Sequence, residues 1–284
     1  MALGININLG DKLVEKIAGA IENIYDPTGE KKAYKSLVNS VFSDIENDCQ
    51  LSPKEKLLLA EECRVLIKKG KNRQKIIEGA KPLLNDNARP DLIEDSWIAN
   101  FCEKSATVSE ETFQELWSCI LAAEANEPNT VSKRLLHNIS LMSTQDANNF
   151  LNLAKFCFYN KKENKAHPII YIKSGSSFYV EHGINTEILK ELESFSLIET
   201  NYESDFIFAR KKILTYLNRT FSIEAEKIPV GNVRLTFDGQ RLYSIIHPSQ
   251  NLEIFDYTWE KLQYRNCSPK VLTDYVFKVK ATQK

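Results

Sequence analysis

The stretch Phe113-Gln114-Glu115-Leu116-Trp117-Ser118-Cys119-Ile120-Leu121-Ala122-Ala123-Glu124 places large apolar side chains at 113, 116, 117, 120 and 121. That spacing predicts an amphipathic helix with its stripe turned to a core. Glu110 and Glu111 suit the first turn of such a helix, and Thr107 and Ser109 offer caps just before it. Glu124 departs from the pattern. It falls four residues after Ile120 and seven after Trp117, so the carboxylate lies on the apolar stripe. Upstream, Trp97, Ile98, Phe101 and Cys102 form a second stripe. Downstream, the turn Glu127-Pro128-Asn129 leads to a helix capped by Ser132, with Leu135, Leu136 and Ile139 inside. Ser143-Thr144-Gln145-Asp146 caps one more helix, carrying Phe150, Leu153 and Phe156. Trp97, Phe101, Phe113, Trp117, Leu121, Leu136 and Phe150 are the expected central core.

Further outward, the N-terminal part also reads as helices. Leu13, Val14, Ile17, Ala18, Ile21, Ile24 and Tyr25 give an amphipathic helix over 11–25, ended by Asp26-Pro27. A second helix includes Tyr34, Leu37, Val38, Val41, Phe42 and Ile45. A third opens at Ser52-Pro53-Lys54-Glu55, a capping box with proline at the first helical position. Its expected end is the basic run from Lys68 to Lys75. The period then changes beyond residue 160. Ile169–Ile172, Phe178–Val180, Phe206–Phe208, Val233–Thr236 and Leu252–Phe255 read as strands, Ile188–Phe195 as a helix, and Thr236–Ile246 as a short helix. The expected fold is mainly α, with helical N-terminal and central regions followed by an α+β, winged-helix-like C-terminal part. Polar, breaker-rich stretches at 85–90 and 160–165 divide the chain into 1–90, 91–160 and 161–284.

Composition narrows the function classes. The 284 residues carry 37 basic and 38 acidic side chains, a net charge of -1, which gives no basic excess for a nucleic acid. No apolar run approaches the ~20 residues of a membrane span, and the first residues lack a secretory pattern. The six cysteines never form a close pair, and the four histidines are scattered, so neither a redox motif nor a metal centre is expected. No phosphate loop, dinucleotide loop, zinc-protease helix or nucleophile elbow occurs. Glu163-Asn164-Lys165 matches the end of a metal-nuclease motif, but in a polar stretch where carboxylates would not converge.

Two features could carry chemistry. Glu124, a carboxylate on an apolar stripe, requires a partner; Arg134 near the start of the next helix is the natural one, and a catalytic role is the alternative. Lys68, Lys69, Lys71, Arg73 and Lys75 could bind phosphate, or could simply complement a helix C-terminus. The amphipathic helix over 11–25 could also meet a membrane surface, although its polar face mixes Lys12, Glu15, Lys16 and Glu22 rather than being predominantly basic.

Three segments together resemble a known pattern. Asp95-Ser96-Trp97-Ile98-Ala99-Asn100-Phe101, then Leu116-Trp117-Ser118-Cys119-Ile120-Leu121-Ala122-Ala123-Glu124, then Pro128-Asn129-Thr130-Val131-Ser132-Lys133-Arg134-Leu135-Leu136, resemble an uncharacterised bacterial and prophage family of unknown function. That family's pattern is D-W-x-x-x-F, L-W-x-x-I-L-A-x-E and P-G-x-x-S-x-x-T-L. The chain is also similar to the Abi-alpha family of abortive infection. Leu235-Thr236-Phe237-Asp238-Gly239-Gln240-Arg241-Leu242 resembles the closing L-T-x-x-G-x-x-L. Asn129 stands where the family has Gly, and Leu135 where it has Thr. The resemblance implies no catalytic residue and no cofactor, and it implies a setting in anti-phage defence. The expected function is a non-enzymatic, cytoplasmic protein acting through a protein partner or self-association. A nucleic-acid-binding regulator and a membrane-targeted effector are the alternatives.

Overall fold

A computed structural model describes residues 39, 42–49, 51–172, 177–246, 248–265 and 267–274. The helix expected over 11–25 lies outside the described residues, and of the second expected helix residues 39 and 42–47 are described as helical. The chain is an α+β protein with helices through its first half and antiparallel strands in its second. It divides into two compact units, Met1–Ser140 and Leu141–Lys284.

The described part of the first unit is helical. α1, Pro53–Ala80, begins with the capping box foreseen in its sequence: Ser52 accepts from the Glu55 amide, and the Glu55 carboxylate accepts from the Ser52 amide at 2.8 Å. The helix does not stop at the basic run. It continues to Ala80 because Ile76, Ile77 and Ala80 are buried beyond that run, and burial outweighs the helix-weakening Gly70. α2 is Asp95–Ser105, α3 is Glu111–Asn126 and α4 is Lys133–Ser140. The N-cap of α3 is Glu110, without a side-chain cap, so Thr107 and Ser109 do not serve as the expected caps.

Trp97, Phe101 and Trp117 form the centre of this unit. The Trp97 and Phe101 rings stack at 5.3 Å, and Phe101 meets Trp117 edge-on at 5.4 Å. Phe113, Ile120, Leu121, Leu135, Leu136 and Ile139 are buried with them. α1 and α3 approach closely at Gly79, where a Cβ would lie 2.5 Å from the Ser118 hydroxyl. That hydroxyl in turn lies 2.9 Å from the Ile76 carbonyl.

The second unit holds the strands. Its helix α5, Thr144–Ala154, has the expected cap: Ser143 and Asp146 satisfy each other's backbone amides. Phe150, which the sequence grouped with the central core, is buried in the second unit. β1, Cys157–Asn160, and β2, Lys165–Pro168, form an antiparallel hairpin. The expected domain boundary at 160–165 is the turn of that hairpin. Asn160 Oδ1 accepts from the Lys162 and Glu163 amides, and Asn164 takes a φ of 51°. Turn chemistry and linker chemistry use the same residues, which is why the sequence misled.

Two short apolar runs read as strands are helical. Phe178–Val180 belongs to α6, Ser177–Glu181. Leu252–Phe255 opens α9, Leu252–Tyr264, where Asn251 caps the Glu253 amide and Ile254, Phe255, Thr258 and Leu262 are buried at helical spacing. Ile169–Ile172 forms no strand beyond a single bridge at Ile170. α7, Thr186–Ser194, and α8, Phe237–Ile246, match their expected positions. β3, Ile198–Thr200, pairs with β6, Val233–Leu235.

The main sheet runs β2-β1-β4-β5-β7, entirely antiparallel, with β4 at Ile207–Tyr216, β5 at Arg219–Pro229 and β7 at Ser268–Asp274. β4 and β5 are joined through Leu217 and Asn218, both with positive φ, the two-residue turn that matches strand twist. Phe158, Tyr216, Phe221, Phe255 and Trp259 make one aromatic cluster between this sheet and α9. Gly239 is dictated by packing: a Cβ there would stand 1.8 Å from the Leu197 carbonyl oxygen.

Candidate functional site

The Glu124 carboxylate sits in the last turns of α3 with the residue only 1% exposed. Its Oε1 accepts from the Asn129 amide at 2.6 Å. Its Oε2 accepts from the amides of Thr130 at 3.2 Å and Val131 at 2.8 Å. Three backbone donors converge on one carboxylate, which answers the desolvation problem that burial of a charge creates. The arrangement is a clasp: α3 turns, and the side chain near its end ties down the loop that leads to α4.

The loop is shaped for this. Asn129 has a φ of 67°, the left-handed region that asparagine tolerates better than most residues. Asn129 thus meets a backbone requirement that glycine would also meet. The Val131 carbonyl accepts from Trp97 Nε1 at 2.7 Å, so the clasped loop is also fastened to α2. Ser132 then caps α4 through the Leu135 amide at 2.9 Å. Arg134 stands exposed in the first turn of α4. Lys133 reaches Ser96 Oγ at 2.6 Å, so α4 and α2 are joined at the surface as well.

The geometry around Glu124 gives a holding function. A catalytic carboxylate must expose an oxygen to a reacting group, whereas both Glu124 oxygens accept from the backbone. The aromatic candidates Trp97, Phe101, Phe113 and Trp117 are all buried. Among the described residues no group of three His, Cys, Asp or Glu could hold a metal ion. Glu163 lies in the exposed β1–β2 turn, where it pairs with Lys212 and faces His167 Nε2 at 3.4 Å. Burial lowers the His167 pKa, and the Lys212 hydrogen bond lowers that of Glu163. Burial pushes the Cys102 thiol up to about 12, so it stays protonated and behaves as a small hydrophobe.

The basic run is not one patch. Lys68, Lys71 and Lys75 are exposed and Lys69 is half-buried, but Arg73 turns inward and is 8% exposed. Its neighbour Asn72 is buried too, donating to the Ala106 carbonyl at 3.0 Å and lying 3.4 Å from Gln114 Nε2. Sequence reasoning missed this polar seam and the amides of residues 129–131. The Asn72–Gln114 pairing has a weak signal, since each polar residue falls on the buried face of its helix. The backbone amides have none, because residue type does not encode them.

Comparison with known proteins gives one match: residues 62–258 fit a family described as a protein of unknown function (DUF2806). The matched span takes in α2, α3, α4 and the glutamate clasp. No curated protein and no solved structure matches the chain.

Proposed function

The chain belongs to that family of unknown function, and from its surfaces we propose that it is a non-enzymatic, cytoplasmic interaction protein that works by association with a second copy of itself. The observation that carries this reading is the N-terminal half of α1. Leu57 is 66% exposed, Leu58 58% and Leu66 52%, with Leu59 and Val65 beside them. Exposed apolar side chains concentrated on one helical arm mark a contact surface rather than ordinary surface scatter. Two apolar groups, at 57–59 and 65–66, lie on the same helix. An antiparallel second copy sets the first group of one chain against the second group of the other, which makes the surface self-complementary. The resemblance of the sequence to the Abi-alpha family is what suggests a setting in anti-phage defence.

The test is a phage-plating assay with the Leu58→Glu/Leu66→Glu variant. Both side chains are exposed, so the fold should survive and protection should fall. Protection equal to that of the wild-type protein would remove the surface from the account.

A second reading, a winged-helix regulator, has one specific support. With the β1–β2 hairpin and the β4–β5 pair set aside as insertions, the order α5, the bridge at Ile170, α6, α7 and then the antiparallel β3–β6 pair resembles the succession of a winged helix. The exposed face of α7 offers Thr186, Glu187, Lys190 and Glu191. Two acids against one base is a poor surface for phosphates, so a winged-helix unit of this composition would meet protein rather than DNA.

A further inference from the structure

We propose that His167, with Glu163 and Lys212, forms a proton-sensitive fastening that holds a bend of β4 against the β1–β2 hairpin and loosens on acidification. The bend follows from the pairing. His167 stands opposite Phe158, and the next residue, Tyr159, stands opposite Thr215 of β4. A straight strand would carry Phe208 about 23 Å from Thr215. The Phe208 ring instead meets the His167 ring edge-on at 4.6 Å. The turn back occurs at the register shift between Ala209 and Lys211, where Arg210 takes a φ of 60°. Phe206 agrees with it: its amide donates to the carbonyl of Gly231, the residue bridged to Ile170 just past β2.

The fastening suits a neutral ring. His167 Nε2 is buried and makes no hydrogen bond among the described residues, although Glu163 Oε2 stands 3.4 Å away. Glu163 is engaged by the Lys212 ammonium, which also lies 5.1 Å over the Phe208 ring. A proton on His167 would enter a buried position opposed by Lys212 and Lys165, with only a shared carboxylate in its favour. Phe158 of β1, opposite His167, and Gln240 of α8, bonded to the adjacent Ala166, carry no charge. Burial is the largest cause of the lowered His167 pKa; Glu163 acts against it, and Lys212 and Lys165 reinforce it. The folded chain therefore binds this proton less readily than the unfolded chain. Stability held by the neutral ring is full above the ordinary histidine range. It is lost as pH falls through that range toward the lowered folded value. The fastening is independent of the apolar arm of α1, so either proposal can fail without the other.

The experiment is an NMR titration of the full chain from pH 7.5 to 5, read at the His167 ring and at the amides of residues 208–212. His167 should take its proton below the ordinary histidine range. Exchange protection of those amides, corrected for intrinsic rates, should fall as it does so. Lys212→Met removes the opposing cation and frees Glu163, so His167 should take its proton at higher pH than in wild type. Glu163→Gln should shift it the other way. His167→Phe keeps a ring against Phe208 and removes the proton site, so its protection at 208–212 should stay level. Its urea midpoint should also fall less on acidification than that of wild type. A His167 that titrates at or above the ordinary range, protection at 208–212 that ignores the His167 proton, or equal acid losses in wild type and His167→Phe would each overturn the fastening. Should a variant fail to fold, the wild-type titration decides, since both of its readings come from the unaltered chain.

Discussion

Replacing Glu124 by Gln changes one oxygen to an amide nitrogen and little else in shape. Three backbone N–H groups point at the two carboxylate oxygens. Glutamine offers one carbonyl oxygen, so at least one of the three amides faces an NH2 instead. A buried N–H without an acceptor costs about 1–3 kcal/mol, and bonds to a charged acceptor are worth roughly 1.5–3 kcal/mol against about 0.5–1.5 for a neutral one. A neutral side chain is cheaper to bury, which returns part of the loss. The net expectation is a destabilisation of about 2–4 kcal/mol, or a fall of roughly 3–7 °C in melting temperature for a chain of this size. Denaturant unfolding followed by circular dichroism reads the first figure, and a thermal scan reads the second. A Glu124→Gln melt superimposable on wild type would refute the clasp. A double variant that recovers most of the loss of two costly single variants would transfer the role to a Glu124–Arg134 pair.

Trp117→Ala should cost about 3–5 kcal/mol, since the side chain is fully buried against Phe101; an unchanged denaturation midpoint would remove it from the core. Asn129→Gly should be nearly neutral, whereas Asn129→Val should lose about 1–2 kcal/mol because a β-branched residue resists a φ of 67°; equal stabilities of the two variants would contradict the loop geometry. A fluorescence-anisotropy titration with duplex DNA at physiological salt should show no sequence-selective binding, given the acidic face of α7. Tight, selective binding would make the winged-helix regulator the leading reading.

The helices of the first unit were legible because local signals agree with the packing. Ser52-Pro53-Lys54-Glu55 caps α1 as its sequence says, as Ser143–Asp146 does for α5 in the second unit, and the stripes at 97–102 and 113–121 are the buried faces. Short apolar runs were not legible. Phe178–Val180 and Leu252–Phe255 are compatible with either period, and tertiary context made both helical. β5 does carry a strand signal, Thr220-Phe221-Ser222-Ile223-Glu224, with alternating polar and apolar residues, though it is not among the strands expected above. At the candidate site, the oddity of Glu124 on an apolar stripe was visible. Its partners were not, since they are main-chain groups of a loop whose shape rests on one left-handed residue. The inward turn of Arg73 was hidden by its company: five basic residues in eight look like one solvated patch until the helix phase is fixed by packing.

Self-association through α1 is tested most directly by sedimentation equilibrium of the full chain across micromolar concentrations, beside the Leu58→Glu/Leu66→Glu variant. The wild-type protein should show a mass rising from that of the 32.5 kDa chain toward twice that value, and the variant should stay at the single-chain mass with an unchanged melting temperature. A wild-type protein that sediments as a single chain throughout the range would contradict the account, as would a folded variant that associates as tightly as wild type.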